Sequence, residues 1–141
     1  MNTAIFSHLN WWAILVASIA YFMLGAIWYS KALFGTKWAA LIKLDVNDPN
    51  LKKGMAKMMV STFTLILIVC FGLSIVIHMV NFDDNFLYGI KLGLLTGFAF
   101  ATTAVSINYV YENRPTNLYL INNGYHVLGH VLAATIIVLW R

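Results

Sequence analysis

LYLINNGYHVLGHVLAATIIVLW, residues Leu118–Trp140, holds 23 residues without one Asp, Glu, Lys or Arg. At about 1.5 Å per helical residue that length matches a hydrocarbon core about 30 Å thick. Within it Tyr119, Asn122, Asn123, His126 and His130 fall inside an arc of about 100° on one helix face. Amides and imidazoles cost free energy in hydrocarbon, so such a stripe should face protein, water or a ligand. The stretch therefore predicts a membrane helix carrying an internal polar site.

Three further segments resemble it in length. Trp11–Ser30 and Met58–Val80 carry no charge, and Leu87–Val110 carries only Lys91 near its start. The whole chain of 141 residues is 61% hydrophobic and 10% charged, whereas a soluble domain has about 25% charged residues. The expectation is a single all-α membrane domain over 1–141. Four transmembrane helices, at about 11–30, 58–80, 87–110 and 118–140, would form an antiparallel bundle. Residues Met1–Asn10 lack the Lys or Arg of a signal peptide, so the first run reads as a retained helix. Cys70, the single cysteine, sits among aliphatics as a buried free thiol.

Charge placement predicts topology. Lys31, Lys37, Lys43, Lys52, Lys53 and Lys57 lie between the first two spans, opposed only by Asp45 and Asp48. The next connection, Asn81–Phe86, holds Asp83 and Asp84 and no basic residue. By the positive-inside rule the first and third connections are cytoplasmic and both termini outside; Lys91 and Arg141 are outnumbered counter-signals. This pattern suits the plasma (inner) membrane, of bacterial type, and the basic excess serves topology, with no nucleic acid as partner. Trp11-Trp12, Trp28-Tyr29 and Trp140 mark interfacial belts. Gly35–Leu44 reads as a short amphipathic helix on the cytoplasmic surface, with Phe34, Trp38 and Leu41 on its apolar side. The loop-one lysines could also hold an anionic lipid.

Span three carries Gly89, Gly93, Gly97 and Ala101, a small residue every four positions. Such a stripe lets a second backbone approach closely and suits a homo-oligomer contact. Thr96, Ala99, Thr103 and Ser106 form another small stripe about 120° away. The sequence alone does not say which face packs within the subunit and which across a dimer.

The connection Tyr111–Asn117 is so short that spans three and four must be antiparallel neighbours. Read inward from the cytoplasm, the column runs from a mouth at Glu112 and Arg114, through Asn108, Asn122 and Asn123, to His126 and His130. These residues, with Tyr119, are the candidate binding residues. Imidazole can relay protons near neutral pH, so a proton or small solute could bind or be conducted there. The alternative is a structural or interaction protein whose polar column only holds helices together, at about 0.6–2 kcal/mol per hydrogen bond. His126 and His130 at i and i+4 could share a metal ion, but a usual site needs a third or fourth ligand, no carboxylate lies in any span, and Cys70 is not placed to help. A quinone or haem on either histidine would make an electron-transfer subunit, and for haem a second subunit would be required. No cofactor is specified. No phosphate-cradling loop, Ser-His-acid set or intramembrane carboxylate supports an enzyme, so no catalytic residue is assigned. His78 reads as interfacial and His8 as solvated.

The runs Asn108-Tyr109-Val110-Tyr111-Glu112-Asn113-Arg114-Pro115 and Ile121-Asn122-Asn123-Gly124-Tyr125-His126 resemble the DUF1761 family of small membrane proteins. The stretch Gly25–Gly35, with Trp38 and Asn10-Trp11, is similar to the other half of that family's pattern. A proline often follows the family's Trp-Tyr-Ser, where this chain has Lys31. The resemblance implies four membrane helices and no assigned activity.

Overall fold

A computed structural model describes residues 6–46, 48–80 and 85–140. Asp83, Asp84 and Arg141, used in the topology reading, lie outside these residues. The regular elements among the described residues are all helical: α1 Trp11–Trp28, α2 Gly35–Leu41, a 3-10 turn Pro49–Lys52, α3 Met55–Val80, α4 Phe86–Leu95, α5 Thr103–Tyr111 and α6 Thr116–Leu139. A π-helical segment, Thr96–Thr102, joins α4 to α5 without a break.

Among the described residues, three helices are long and apolar enough to cross a membrane. They are Trp11–Trp28, Met55–Val80 and the continuous Phe86–Tyr111, with mean hydropathy 1.8, 2.6 and 1.6 over an 18-residue stretch of each. Four were expected, and α6 is the one missing from this set. It has the length, 24 residues, but its stripe of amides and imidazoles dilutes its apolarity.

Each end of α1 has a local cause. Asn10 caps the start, its Oδ1 accepting from the N–H groups of Trp12 and Ala13 at 3.1 Å each. The stop at Trp28 holds although Lys31 stands where a proline was expected. Phe34 N–H returns to the Trp28 carbonyl at 3.1 Å and Gly35 N–H to Ser30 at 2.9 Å, folding the chain back. Gly35 packs directly on the Tyr29 and Ser30 carbonyls, where a Cβ would collide with backbone. The short helix is therefore present as expected, although it ends at Leu41, not Leu44.

The assembly is arranged around α6. Asn10 Nδ2 donates to the Trp140 carbonyl at 2.6 Å, and Trp28 Nε1 donates to the Ile121 carbonyl at 2.9 Å. Those two bonds pin opposite ends of α1 and make it antiparallel to α6 along its whole length. Phe71 stacks on Trp11 and Phe63 meets Phe22, so α3 is antiparallel to α1. The shared interior is made of Ala17 and Tyr21 from α1, Cys70 and Ile77 from α3, and Ala134 and Val138 from α6. Cys70 is a free, buried thiol. On its other side α6 meets α4 and the π segment, whereas α3 and α4 share no extended contact among the described residues. An antiparallel bundle of four membrane helices was the expectation; the described helices are packed with α6 at the centre, between α1 and α3 on one side and α4 on the other.

The glycine stripe explains the α4–α6 contact. A Cβ on Gly89 would meet the Thr135 backbone, on Gly93 the backbone of His130 and Val131, and on Gly97 that of Val127. In lipid, helices associate by such close approach because the tails offer no hydrophobic driving force between helices. The face expected to join two copies is thus covered by α6 of the same chain.

The π segment shifts the face that follows it. A π turn inserts one residue, which rotates everything downstream by about one α-helical step, 100°. The inward face runs Gly89, Gly93, Gly97 and then Thr102, Ser106 and Tyr109, the last two partly buried. A continuous α-helix would have continued through Ala101 and Asn108 instead. Asn108 is exposed.

Candidate functional site

The α6 stripe is answered chiefly by α1. Tyr21, Gly25, Trp28 and Tyr29 lie at i, i+4, i+7 and i+8, one helix face, and that face lies against Ile121–His130. Near the middle of α1 the Tyr21 hydroxyl sits between two imidazoles. It is 3.2 Å from His126 Nδ1 and 3.3 Å from His130 Nδ1. His130 Nδ1 is also 2.8 Å from the His126 carbonyl.

Hydrogen-bond logic assigns the tautomers. A carbonyl can only accept, so His130 Nδ1 carries its proton and donates to the His126 oxygen, sharing it with the Tyr21 oxygen. The Tyr21 O–H has two acceptors in reach, His126 Nδ1 at 3.2 Å and the His126 carbonyl at 3.5 Å; donated over the shorter distance, it leaves the His126 proton on Nε2. The Nε2 atoms of both rings make no hydrogen bond among the described residues. The result is a directed chain, His130 Nδ1–H to Tyr21 Oη–H to His126 Nδ1.

Glycines make room for these rings. A Cβ on Gly129 would fall inside the Tyr21 ring, and one on Gly124 would press the Trp28 indole at 3.1 Å. Tyr125 lies between Tyr21 and Tyr29, with ring centroids 5.3 and 5.4 Å away, and packs on Gly25.

Nearer Trp28 a second polar group forms around Asn122. Tyr29 Oη donates to Asn122 Oδ1 at 2.9 Å, and Asn122 Nδ2 donates to Tyr109 Oη at 2.6 Å. Asn123 Nδ2 donates to Ser106 Oγ at 2.8 Å, while its buried Oδ1 has no partner. Tyr119 contributes a ring, edge-on to Tyr109 at 5.2 Å.

Asn122, Asn123, His126 and His130 lie against α1 and α5 together, and not between the last two helices alone. Asn108 is not in the group; Ser106 and Tyr109 take its place because of the π turn. Glu112 and Arg114 bond to each other, Oε2 to Nε at 2.7 Å, with side chains 49% and 44% exposed. At that exposure the pair contributes little to stability. Tyr21, Tyr29, Ser106 and Tyr109 are members that sequence reasoning missed, and Tyr21 is the central one. Its one signal was a hydroxyl in mid-span, seven and eight residues before the Trp28-Tyr29 pair. At the far end, the exposed His8 and His78 rings stack at 5.7 Å. No group of three or more His, Cys, Asp or Glu side chains gathers among the described residues.

The family pattern described as protein of unknown function (DUF1761) matches residues 12–138. The chain belongs to the DUF1761 family. That match includes α1, the elbow after it, the π-interrupted helix and nearly all of α6. No curated protein and no solved structure matches the chain. For this DUF1761 member, function has to be argued from the site itself.

Proposed function

We propose that this DUF1761 protein crosses the membrane four times and relays or binds a proton, or a small polar solute, at the site between α1, α5 and α6. The observation that carries the reading is the Tyr21 hydroxyl held between His126 and His130. A proton arriving at His130 Nε2 lets its Nδ1 proton pass to the Tyr21 oxygen. The Tyr21 proton passes to His126 Nδ1, and the His126 Nε2 proton departs. Each hop makes one bond to hydrogen and breaks one, and both rings exchange tautomer. Asn122, with Tyr29 and Tyr109, continues the polar path toward the end that carries the mouth residues Glu112 and Arg114.

The fourth crossing is argued from α1. Since α6 is bonded to α1 at both ends, a membrane that α1 spans has α6 beside it at every depth. The polar stripe is then spent on Tyr21, Tyr29, Ser106 and Tyr109 instead of lipid, which removes the cost of placing it there. The basic 31–57 connection orients the chain with both termini outside the plasma membrane. An impermeant thiol reagent added outside should then label a cysteine at Asp83 and miss one at Lys53. The reverse labelling pattern would sink this orientation.

A second reading is favoured by the saturation of Trp28, Tyr29 and Asn122 in interhelical bonds. The column then only locks α6 to its neighbours. Proteoliposomes separate the two. On the relay reading, wild type passes protons, and Tyr21→Phe lowers the flux at least tenfold while costing only about 1 kcal/mol of stability. His126→Ala should abolish flux. If wild-type protein passes no protons at any pH and both variants lose only stability, the column is structural.

A further inference from the structure

We infer that the elbow between α1 and α2 binds one anionic phospholipid, its phosphate at Lys31 and an acyl chain along the wall from Trp38 to Val46. The inference rests on the membrane crossing of α1 proposed above and is independent of any proton relay. A cavity of about 610 Å³ opens there, lined in part by Tyr29, Lys31, Thr36, Trp38, Leu44 and Val46. Sites for small ligands run from about 300 to 1,000 Å³.

The cavity is held open by packing from behind. Phe34 lies on Trp28 with centroids 4.6 Å apart, and Trp38 meets Tyr29 edge-on at 5.3 Å. With Gly35 jammed on the Tyr29 and Ser30 carbonyls, the elbow has little freedom to collapse. Its walls divide by chemistry. Leu44 and Val46 are 37% and 61% exposed, apolar surface that no part of the described chain covers. Lys31 supplies an ammonium and Thr36 a hydroxyl, both exposed and able to donate to phosphate oxygens.

Charge and position select the occupant. From Lys31 through Val46, the stretch that supplies most of the wall, three lysines face a single acid, Asp45, so the net charge favours an anion over a zwitterion. The cavity adjoins the end of an apolar helix, beside Trp28 and Tyr29, at the level where aromatic belts meet headgroups. A soluble phosphate would satisfy Lys31 but leave the Leu44–Val46 wall in water; a phospholipid satisfies both.

Native mass spectrometry of the full chain, released from mixed phosphatidylglycerol and phosphatidylcholine micelles, tests this. One phosphatidylglycerol should remain bound to wild type. Lys31→Gln and the cavity-filling Ala40→Trp should each lower its retention at least tenfold. Lys52→Gln, the same charge change outside the cavity, should leave it intact. Equal losses from Lys31→Gln and Lys52→Gln would reveal general electrostatics and overturn the site. Equal retention of phosphatidylcholine would overturn it too, as would full displacement by glycerol phosphate at matched concentration. A protein that fails to enter liposomes would instead defeat the membrane reading itself, so the two failures are distinguishable.

Discussion

Gly93→Leu is expected to drive α4 away from α6 and to destabilise the protein by about 3 kcal/mol or more. The reason is backbone contact. A Cβ at Gly93 would collide with Val131 Cα and the His130 carbonyl, neither of which can rotate aside as a side-chain tip would. Because α4 leans on α6 and on little else, the helix has no second partner to hold it. Thermal unfolding in detergent should show a large loss, accompanied by exposure of the π segment to proteolysis. Gly72→Leu is the control, since a Cβ there meets nothing within 4 Å. Wild-type stability in Gly93→Leu would mean that the α4–α6 contact does not exist in the membrane.

The second large effect is expected from Gly129→Ala, a change of one methyl group. The added Cβ would occupy the Tyr21 ring itself. Tyr21 is almost fully buried, 2% exposed, so the ring cannot swing aside without displacing α1 from α6. Its hydroxyl would leave both histidines, and three donor–acceptor contacts at the centre of the column would go with it. Stability should fall by about 2–3 kcal/mol from overpacking, and any proton flux should disappear. Tyr21→Phe, which keeps the ring and removes only the hydroxyl, should lose flux with far less stability. A Gly129→Ala protein with wild-type melting and flux would place Tyr21 somewhere other than over Gly129.

Much of the architecture was legible in the chain because long apolar helices, of a kind compatible with a membrane, follow simple rules. Every backbone group must be bonded within its own segment, so long apolar runs have to be helices. Gly89, Gly93 and Gly97 marked a close backbone approach, whereas the Asn10 cap emerged only with the structure. The spacing of Asn122, His126 and His130 placed them on one face, which required no knowledge of any neighbour. For the same local reason the Lys-rich stretch 31–57 could be separated from the spans.

What the chain did not disclose depends on which surfaces meet. The inward face beyond Gly97 passes to Thr102, Ser106 and Tyr109, and not to Ala101 and Asn108, because a π turn intervenes. Period counting assumes an uninterrupted α-helix, so a single inserted residue turns every later prediction by about 100°. The glycine stripe could have faced a second copy, and only the packing of α4 on α6 assigns it within the chain. Tyr21 is an ordinary aromatic residue in an apolar run until α1 lies antiparallel to α6. Sequence by itself determined the helices, their apolar ends and the polar stripe of α6, since each follows from local composition and periodicity. Tertiary structure alone decided what answers that stripe, because Tyr21 is more than 100 residues from the histidines it joins and their meeting depends on helix packing.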